Sequence, residues 1–183
     1  MVIKRNGYIF MAVAAAIVLV LDQLTKFWIA SAMQPGDIVS IVDGFARLRY
    51  TQNSGAAFGL FPDSSGIISV LALLVIIGIL VAFVRLGHPG MLSVLAAGLV
   101  VGGALGNLID RLRLGYVVDF VDVYGPRLEI GGRIYTWPVF NVADSAISVG
   151  VVLVMAGILF MSEPEKHEAR TVSTVTTAEE NEA

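Results

Sequence analysis

Apolar residues gather into four long runs, near Tyr8–Ala32, Ile67–Val84, Met91–Ile109 and Val139–Met161, with polar residues collected between them. Each run approaches the ~20 residues that a bilayer crossing needs. Hydrocarbon offers no water to a bare backbone, so a crossing segment must be helical. The pattern predicts an all-α membrane protein with four transmembrane helices in one domain over residues 1–161. Two inserts interrupt it. In residues 33–66, Ile38–Val42 and Phe45–Tyr50 flank Asp43-Gly44, a two-residue hairpin signal. Arg47 and Arg49 alternate there with Leu48 and Tyr50, as in a half-exposed strand. Asn53-Ser54-Gly55-Ala56-Ala57-Phe58-Gly59 reads as a loop of small residues returning toward the membrane. In residues 112–138, Leu128–Ile130 and Arg133–Tyr135 flank Gly131-Gly132, a second hairpin candidate, and Tyr135 and Trp137 suit an interfacial aromatic belt. Pro164 ends the fourth helix, and residues 162–183 form a polar, Thr-rich, acidic tail expected to be disordered.

The polar residues inside the runs are not scattered. Asp22 and Lys26 lie toward the end of the first run, Asn107, Asp110 and Arg111 close the third, and Asn141 and Asp144 open the fourth. If each run crosses once, all of them reach the face that carries the hairpin inserts. Ionisable groups at membrane depth are costly, so a set gathered at one level marks a functional site. In the third run Gly98, Gly102 and Gly106 repeat every fourth residue and Asp110 continues their stripe. Such a stripe lets another helix backbone come close. On the neighbouring stripe Gly103, Asn107 and Arg111 repeat likewise, so Asn107 and Arg111 project one turn apart. Arg111 is either an interfacial anchor or a fork for a carboxylate or phosphate.

Composition narrows the chemistry. Of 183 residues, 56% are hydrophobic and 15% charged, which excludes an ordinary soluble domain. There are no cysteines, so disulfides and thiolate nucleophiles are excluded, and His88 and His167 fall at the face opposite the cluster. No metal or other cofactor is expected. A net charge of −3 argues against a nucleic-acid partner. Lys4 and Arg5 before an apolar run ending in Ala30-Ser31-Ala32 imitate a cleaved signal peptide, but Asp22-Gln23-Leu24-Thr25-Lys26 interposes, so the first span is expected to be retained. Charge counting gives a conflicting orientation. Lys26, Arg47, Arg49, Arg111, Arg113, Arg127 and Arg133 lie on the insert face, against Lys4, Arg5, Arg85, Lys166 and Arg170 opposite. That count puts the inserts in the cytoplasm, while the Lys4-Arg5 flank of the first helix puts the N-terminus there. Lys26 and Arg111, each beside acidic residues, are candidates for structural pairs.

The carboxylates divide by context. Asp37, Asp43 and Asp63 sit in turn sequences. Asp119 sits in the apolar stretch from Tyr116 to Asp122, and Asp144 at the mouth of the fourth run, where Asn141 or Asp144 could instead cap the helix. Two carboxylates held close at a membrane edge share a proton, leaving one acid and one base. Such a dyad activates water against an amide. Asp22, Asp110, Asp119, Asp122 and Asp144 are the candidates for its members. A Ser/Lys hydrolase built on Lys26 with Ser54 or Ser145 competes, although Asp22 and Lys26 are spaced for an i,i+4 ion pair. A proton-coupled transporter would spread ionisable groups through the bilayer's depth, and a helix-packing protein would need the glycines but not the carboxylates. A presenilin-type protease would carry Gly-x-Gly-Asp, which this chain lacks.

Five blocks in order resemble the bacterial lipoprotein signal peptidases, signal peptidase II. They are Asp22-Gln23-Leu24-Thr25-Lys26, Asn53-Ser54-Gly55-Ala56-Ala57-Phe58, Gly102 to Arg111, Val117-Val118-Asp119-Phe120, and Phe140-Asn141-Val142-Ala143-Asp144-Ser145. The resemblance implies an intramembrane aspartic endopeptidase that cuts the signal peptide from prolipoproteins just before the diacylglyceryl-modified cysteine. It implies Asp119 and Asp144 as the catalytic pair, with Asp22, Lys26, Asn53, Gly55, Asn107, Asp110, Arg111 and Asn141 supporting them or positioning substrate. It further implies a multi-pass protein of the bacterial inner membrane, both termini cytoplasmic and the site near the outer face, which overrides the charge count. The expected partners are lipid-modified prolipoproteins and membrane lipids, with the enzyme working as a monomer. The hairpin over residues 37–51 is expected to cradle the substrate backbone.

Overall fold

The computed structural model describes residues 2–55, 65–86, 90–125, 128–130 and 133–161. Helices stand where the four apolar runs predict them: α1 Val2–Ala32, α2 Ser65–Leu86, α3 Met91–Leu114 and α4 Val142–Met161. Two are long and apolar enough to cross a membrane, α1 over Asn6–Ala32 and α3 throughout, while the apolar stretches Gly66–Ala82 of α2 and Val142–Ala156 of α4 are shorter. The helices are apolar outside and polar within. Phe27 is 72% exposed and Ile67 67%, whereas Asp22 and Asn141 are fully buried. In water that outer surface would be an aggregation liability, but hydrocarbon suits it.

α3 is the central helix, packing on α1, α2 and α4. Its two small-residue stripes have separate partners. A Cβ at Gly98 would lie 2.8 Å from the Met11 carbonyl, and one at Gly102 2.6 Å from the Ala15 carbonyl, so that stripe seats α1. A Cβ at Gly103 would lie 2.5 Å from the Ala143 carbonyl, so the other stripe seats α4. These contacts are with backbone, which cannot swing aside. Gly102→Ala should therefore cost about 1–3 kcal/mol of stability, read as a lowered melting temperature in micelles. Gly78→Ala on α2, where a Cβ meets nothing within 4 Å, should not lower it.

The part between the helices departs from the two separate hairpins that the sequence predicts. β1 (Ile38–Val42), β2 (Ala46–Asn53) and β3 (Val117–Val123) form one antiparallel sheet in that order, and only β4 (Leu128–Ile130) and β5 (Arg133–Tyr135) stand as a separate hairpin. The fold is thus mostly helical with a small three-stranded sheet, in which the predicted first hairpin gains β3 as a third strand. The first turn is also longer than expected. Val42 pairs with Ala46, leaving Asp43, Gly44 and Phe45 as a three-residue connection in which Gly44 has φ +75°. That value favours glycine. At its far end β2 continues past Tyr50 to Asn53, so Asn53 is a strand residue and not part of the loop.

β3 explains the difference. Its sequence, Val-Val-Asp-Phe-Val-Asp-Val, is rich in β-branched residues and nearly continuous in burial, as in a strand covered on both faces. α3 ends at Gly115, whose φ of +83° and N–H bond to the Arg111 carbonyl (3.0 Å) turn the chain straight into it. Val118 and Phe120 pack with Tyr50, Ile29 and Met33 in a core at the end of α1. Asp37 and Asp43 keep the turn roles expected of them: Asp37 Oδ2 accepts from the Gln34 N–H at 2.7 Å, and Asp43 Oδ1 from Ser40 Oγ at 2.5 Å. Asp63, His88, His167, Gly131, Gly132, the Ala56–Gly59 stretch and the tail lie outside the described residues.

Candidate active site

Among the described residues five carboxylates gather around the meeting of α1, α3, the start of α4 and β3, four of them buried and Asp144 half-buried, and their partners divide them into two kinds. Asp22 and Asp110 belong to Lys26. Its Nζ lies 2.9 Å from Asp22 Oδ2 and 2.9 Å from Asp110 Oδ2, and it donates to Asn107 Oδ1 at 2.8 Å. An ammonium has three N–H bonds, and all three are used. Both carboxylates also hold backbone. Asp22 Oδ1 accepts from the Ala143 N–H at the start of α4 (3.0 Å), and Asp110 Oδ2 from the Val118 N–H of β3 (3.2 Å). The predicted Asp22–Lys26 pair is thus one side of a three-residue network that joins four elements. Gly106 makes room for it, since a Cβ there would collide with Asp22.

Asp122 is neutralised elsewhere. Three residues beyond Asp119 on a strand, it leaves the opposite face and accepts from Arg47 Nε at 2.7 Å. Asp119 and Asp144 remain, and among the described residues neither has an ion-pair partner. Their donors are neutral amides. Asp119 Oδ1 accepts from Asn141 Nδ2 (2.7 Å) and Oδ2 from Asn53 Nδ2 (2.9 Å). Asp144 Oδ1 accepts from Asn107 Nδ2 (2.8 Å) and Oδ2 from the Asn141 N–H (3.2 Å). Asn141 therefore touches both carboxylates and sets their spacing.

The orientation of each amide follows from its other end. Asn107 Oδ1 faces the Lys26 ammonium, which only an acceptor can do, so its NH₂ must face Asp144. Asn141 Oδ1 accepts from the Asp144 N–H (2.9 Å), turning its NH₂ to Asp119. Asn53 Oδ1 accepts from the Gly55 N–H (3.1 Å) with the same result. Three asparagines are thus locked with their donors on two acids. Asn141 and Asp144 also form a capping box at the start of α4, each binding the other's backbone N–H. The capping role that competed with chemistry in the sequence is realised together with the pairing. β3 holds this turn in place, since the Phe140 carbonyl accepts from Val121 (2.8 Å) and Phe120 (3.1 Å) just ahead of Asn141.

Asp119 is nearly inaccessible at 2% exposure. Burial, and after it the charge of Asp144, pushes its carboxyl up to about 7. A buried acid poised near neutrality beside a second carboxylate is the arrangement of an acid–base pair. Arg111 forms no ion pair with Asp110 or with any other described residue, contrary to the structural pairing that its neighbours suggested. It reaches the Gly55 and Asn107 carbonyls only at 3.4 Å, and its Nε is buried without a partner among the described residues.

Residues 14–160 match the family model of signal peptidase (SPase) II. The chain belongs to that family. The lipoprotein signal peptidase of Moorella thermoacetica is 42% identical over 154 residues, covering 84% of this chain and 95% of its own. That of Geobacter sulfurreducens is 44% identical over 147 residues, covering 77% and 86%. A bacterial membrane enzyme solved by the in meso method at 2.3 Å superposes with a TM-score of 0.75 at 31% identity, over 86% of this chain and 92% of that one. The protein is therefore a peptidase of the signal peptidase II family.

Within this signal peptidase II, the competing Ser/Lys arrangement is absent. Lys26 Nζ is saturated, Ser145 Oγ donates to the Asn141 carbonyl at 3.0 Å, and Ser54 is exposed. One support residue was missed by sequence reasoning. Gln23 Nε2 donates to Asp110 Oδ1 at 3.0 Å and lies 3.3 Å from both Asp22 Oδ2 and the Gly106 carbonyl. Its signal was an amide inside an apolar helix directly after Asp22.

Proposed function

We propose that this signal peptidase II is an intramembrane aspartic endopeptidase that removes the signal peptide from diacylglyceryl-modified prolipoproteins, cutting just before the lipidated cysteine. The observation that carries the reading is the division of the carboxylates: three of five are ion-paired with Lys26 or Arg47, and the remaining two, Asp119 and Asp144, are bridged by Asn141. Asp119 holds the pair's shared proton and Asp144 is the base. Asp144 takes a proton from water as the oxygen attacks the scissile carbonyl, and Asp119 gives its proton to the carbonyl oxygen. In the collapse of the tetrahedral species, the amide nitrogen takes a proton from Asp144 and leaves as an amine. The proton on the diol returns to Asp119 as the new carboxyl forms. The locked amides keep both acids aimed while they change charge. Arg111 Nε, without a partner among the described residues, orients a substrate carbonyl or carboxylate.

In this reading the four helices cross the bacterial inner membrane, both termini are cytoplasmic, and the sheet stands at the outer face with the β1–β2 hairpin beside the substrate backbone. The enzyme works as a monomer, and the substrate's acyl chains stay in lipid between the helices. The test is cleavage in micelles of one prolipoprotein with and without its diacylglyceryl group, with mass spectrometry of the products. Only the modified form should be cut, and the mature product should begin at the lipidated cysteine. Equal cleavage of the unmodified form, or a cut elsewhere, would sink the assignment.

A further inference from the structure

A second cleft lies on the sheet away from the paired acids. It has a volume of about 420 Å³, and Arg47, Arg49, Asp122, Tyr124 and Trp137 contribute to its wall. Asp119 does not, because Asp122 and Asp119 leave opposite faces of β3. The two arginines differ in state. Arg47 is committed: its Nε is 2.7 Å from Asp122 Oδ2, and its guanidinium lies 4.3 Å above the Tyr124 ring. Tyr124 is itself fixed, since its hydroxyl accepts from the Gly44 N–H at 2.9 Å. Arg49, two residues along the same strand, is exposed, and among the described residues its side chain has no ion-pair or hydrogen-bond partner. With Asp122 offsetting Arg47, the cleft keeps one net positive charge on a rigid wall.

Its height in the molecule indicates the ligand. Trp137, 64% exposed, lies five residues before the first residue of α4, whose Val149, Val151 and Val152 face outward. The cleft thus opens at the sheet end of α4, beyond the helix's apolar outer surface. An exposed indole suits that boundary, and a guanidinium fork suits a phosphodiester. We infer that the Arg49–Trp137 cleft binds the phosphate of an anionic phospholipid headgroup in the outer leaflet, clamping the sheet to the membrane surface. An acidic peptide would also meet Arg49, but one net charge beside an exposed indole at the lipid boundary fits a single headgroup better than a run of carboxylates. The inference rests on the proposed placement of the sheet at the outer face. Its readout is lipid retention and not cleavage, so it stands or fails separately from the peptidase reading.

The full chain is reconstituted in nanodiscs of equal parts phosphatidylglycerol and phosphatidylcholine, extracted into neutral detergent, and the retained lipid is identified by native mass spectrometry. Wild type should retain phosphatidylglycerol in preference, and Arg49→Gln should lower that preference about fivefold, the factor one arginine contributes near an anionic surface. Arg49→Lys should keep part of it. Arg113→Gln, removing an exposed arginine at the end of α3, should change nothing. Equal retention by wild type and Arg49→Gln would overturn the proposal. So would displacement of the lipid by millimolar inorganic phosphate, which would mark a free-anion site, or Arg49-dependent capture of an acidic peptide in lipid-free micelles.

Discussion

Asp119→Asn and Asp144→Asn are each expected to slow prolipoprotein cleavage by about 10³-fold or more while leaving the protein folded. An asparagine keeps the shape and part of the hydrogen bonding of the acid it replaces, but it can neither release nor accept the proton the reaction moves. The comparison is a cleavage time course in micelles beside a melting curve for each variant. If both variants still cut at near wild-type rate, the pair is not the catalytic one. Asp22 and Asp110 would then have to be reconsidered, despite the ammonium between them.

The same acid links activity to stability. Asp119 is raised from an ordinary 3.8 to about 7, by burial first and by the Asp144 charge second. Its proton binds the folded state more tightly than the unfolded one. Its contribution to stability is therefore intact below the ordinary value and lost as pH rises through the raised one. Cleavage that needs the proton on Asp119 should decline above about pH 7. Asp119→Asn, freed of the buried charge, should exceed wild type in stability at about pH 8 by on the order of 2 kcal/mol, allowing for one lost amide contact. Near about pH 4 that advantage should vanish. A catalytic group that destabilises its own fold in the working pH range is difficult to explain as a structural acid.

Much of this was legible in the sequence because α3 carries it in two stripes. Gly98, Gly102, Gly106 and Asp110 lead to α1 and its Lys26, while Gly103 and Asn107 lead to α4 and its Asn141 and Asp144. Helical periodicity alone separates these stripes. Sheet membership was hidden because a strand's partner is set by tertiary contact. Val117–Val123 lacks the alternation that marks a half-buried strand, since both of its faces are covered. The sorting of the five carboxylates was hidden for the same reason. Asp119 and Asp122 look alike in sequence, and a difference in strand face gives one to Asn53 and Asn141 and the other to Arg47. Local spacing did disclose the Asp22–Lys26 pair, but Asp110, which completes it, comes from another helix.

Lys26→Met should be among the most damaging substitutions in the chain. It leaves Asp22 and Asp110, each no more than 3% exposed, facing one another without the cation between them. Removing one partner of a buried ionic cluster costs about 3–5 kcal/mol, here expressed as poor yield and a lowered melting temperature in micelles. Asn107 is affected too: its oxygen loses the ammonium and keeps only the Asn141 Nδ2 donor at 3.1 Å, so its aim at Asp144 is less firmly held. The variant that separates these effects is Lys26→Met combined with Asp22→Asn and Asp110→Asn, a neutral core of similar volume. Most of the stability should return, because no uncompensated charge remains, whereas cleavage should stay impaired because the Asn107 oxygen is then held by Asn141 alone. Full recovery of both would mean that Lys26 serves only to balance charge. Recovery of neither would point to the packing of its aliphatic stem instead.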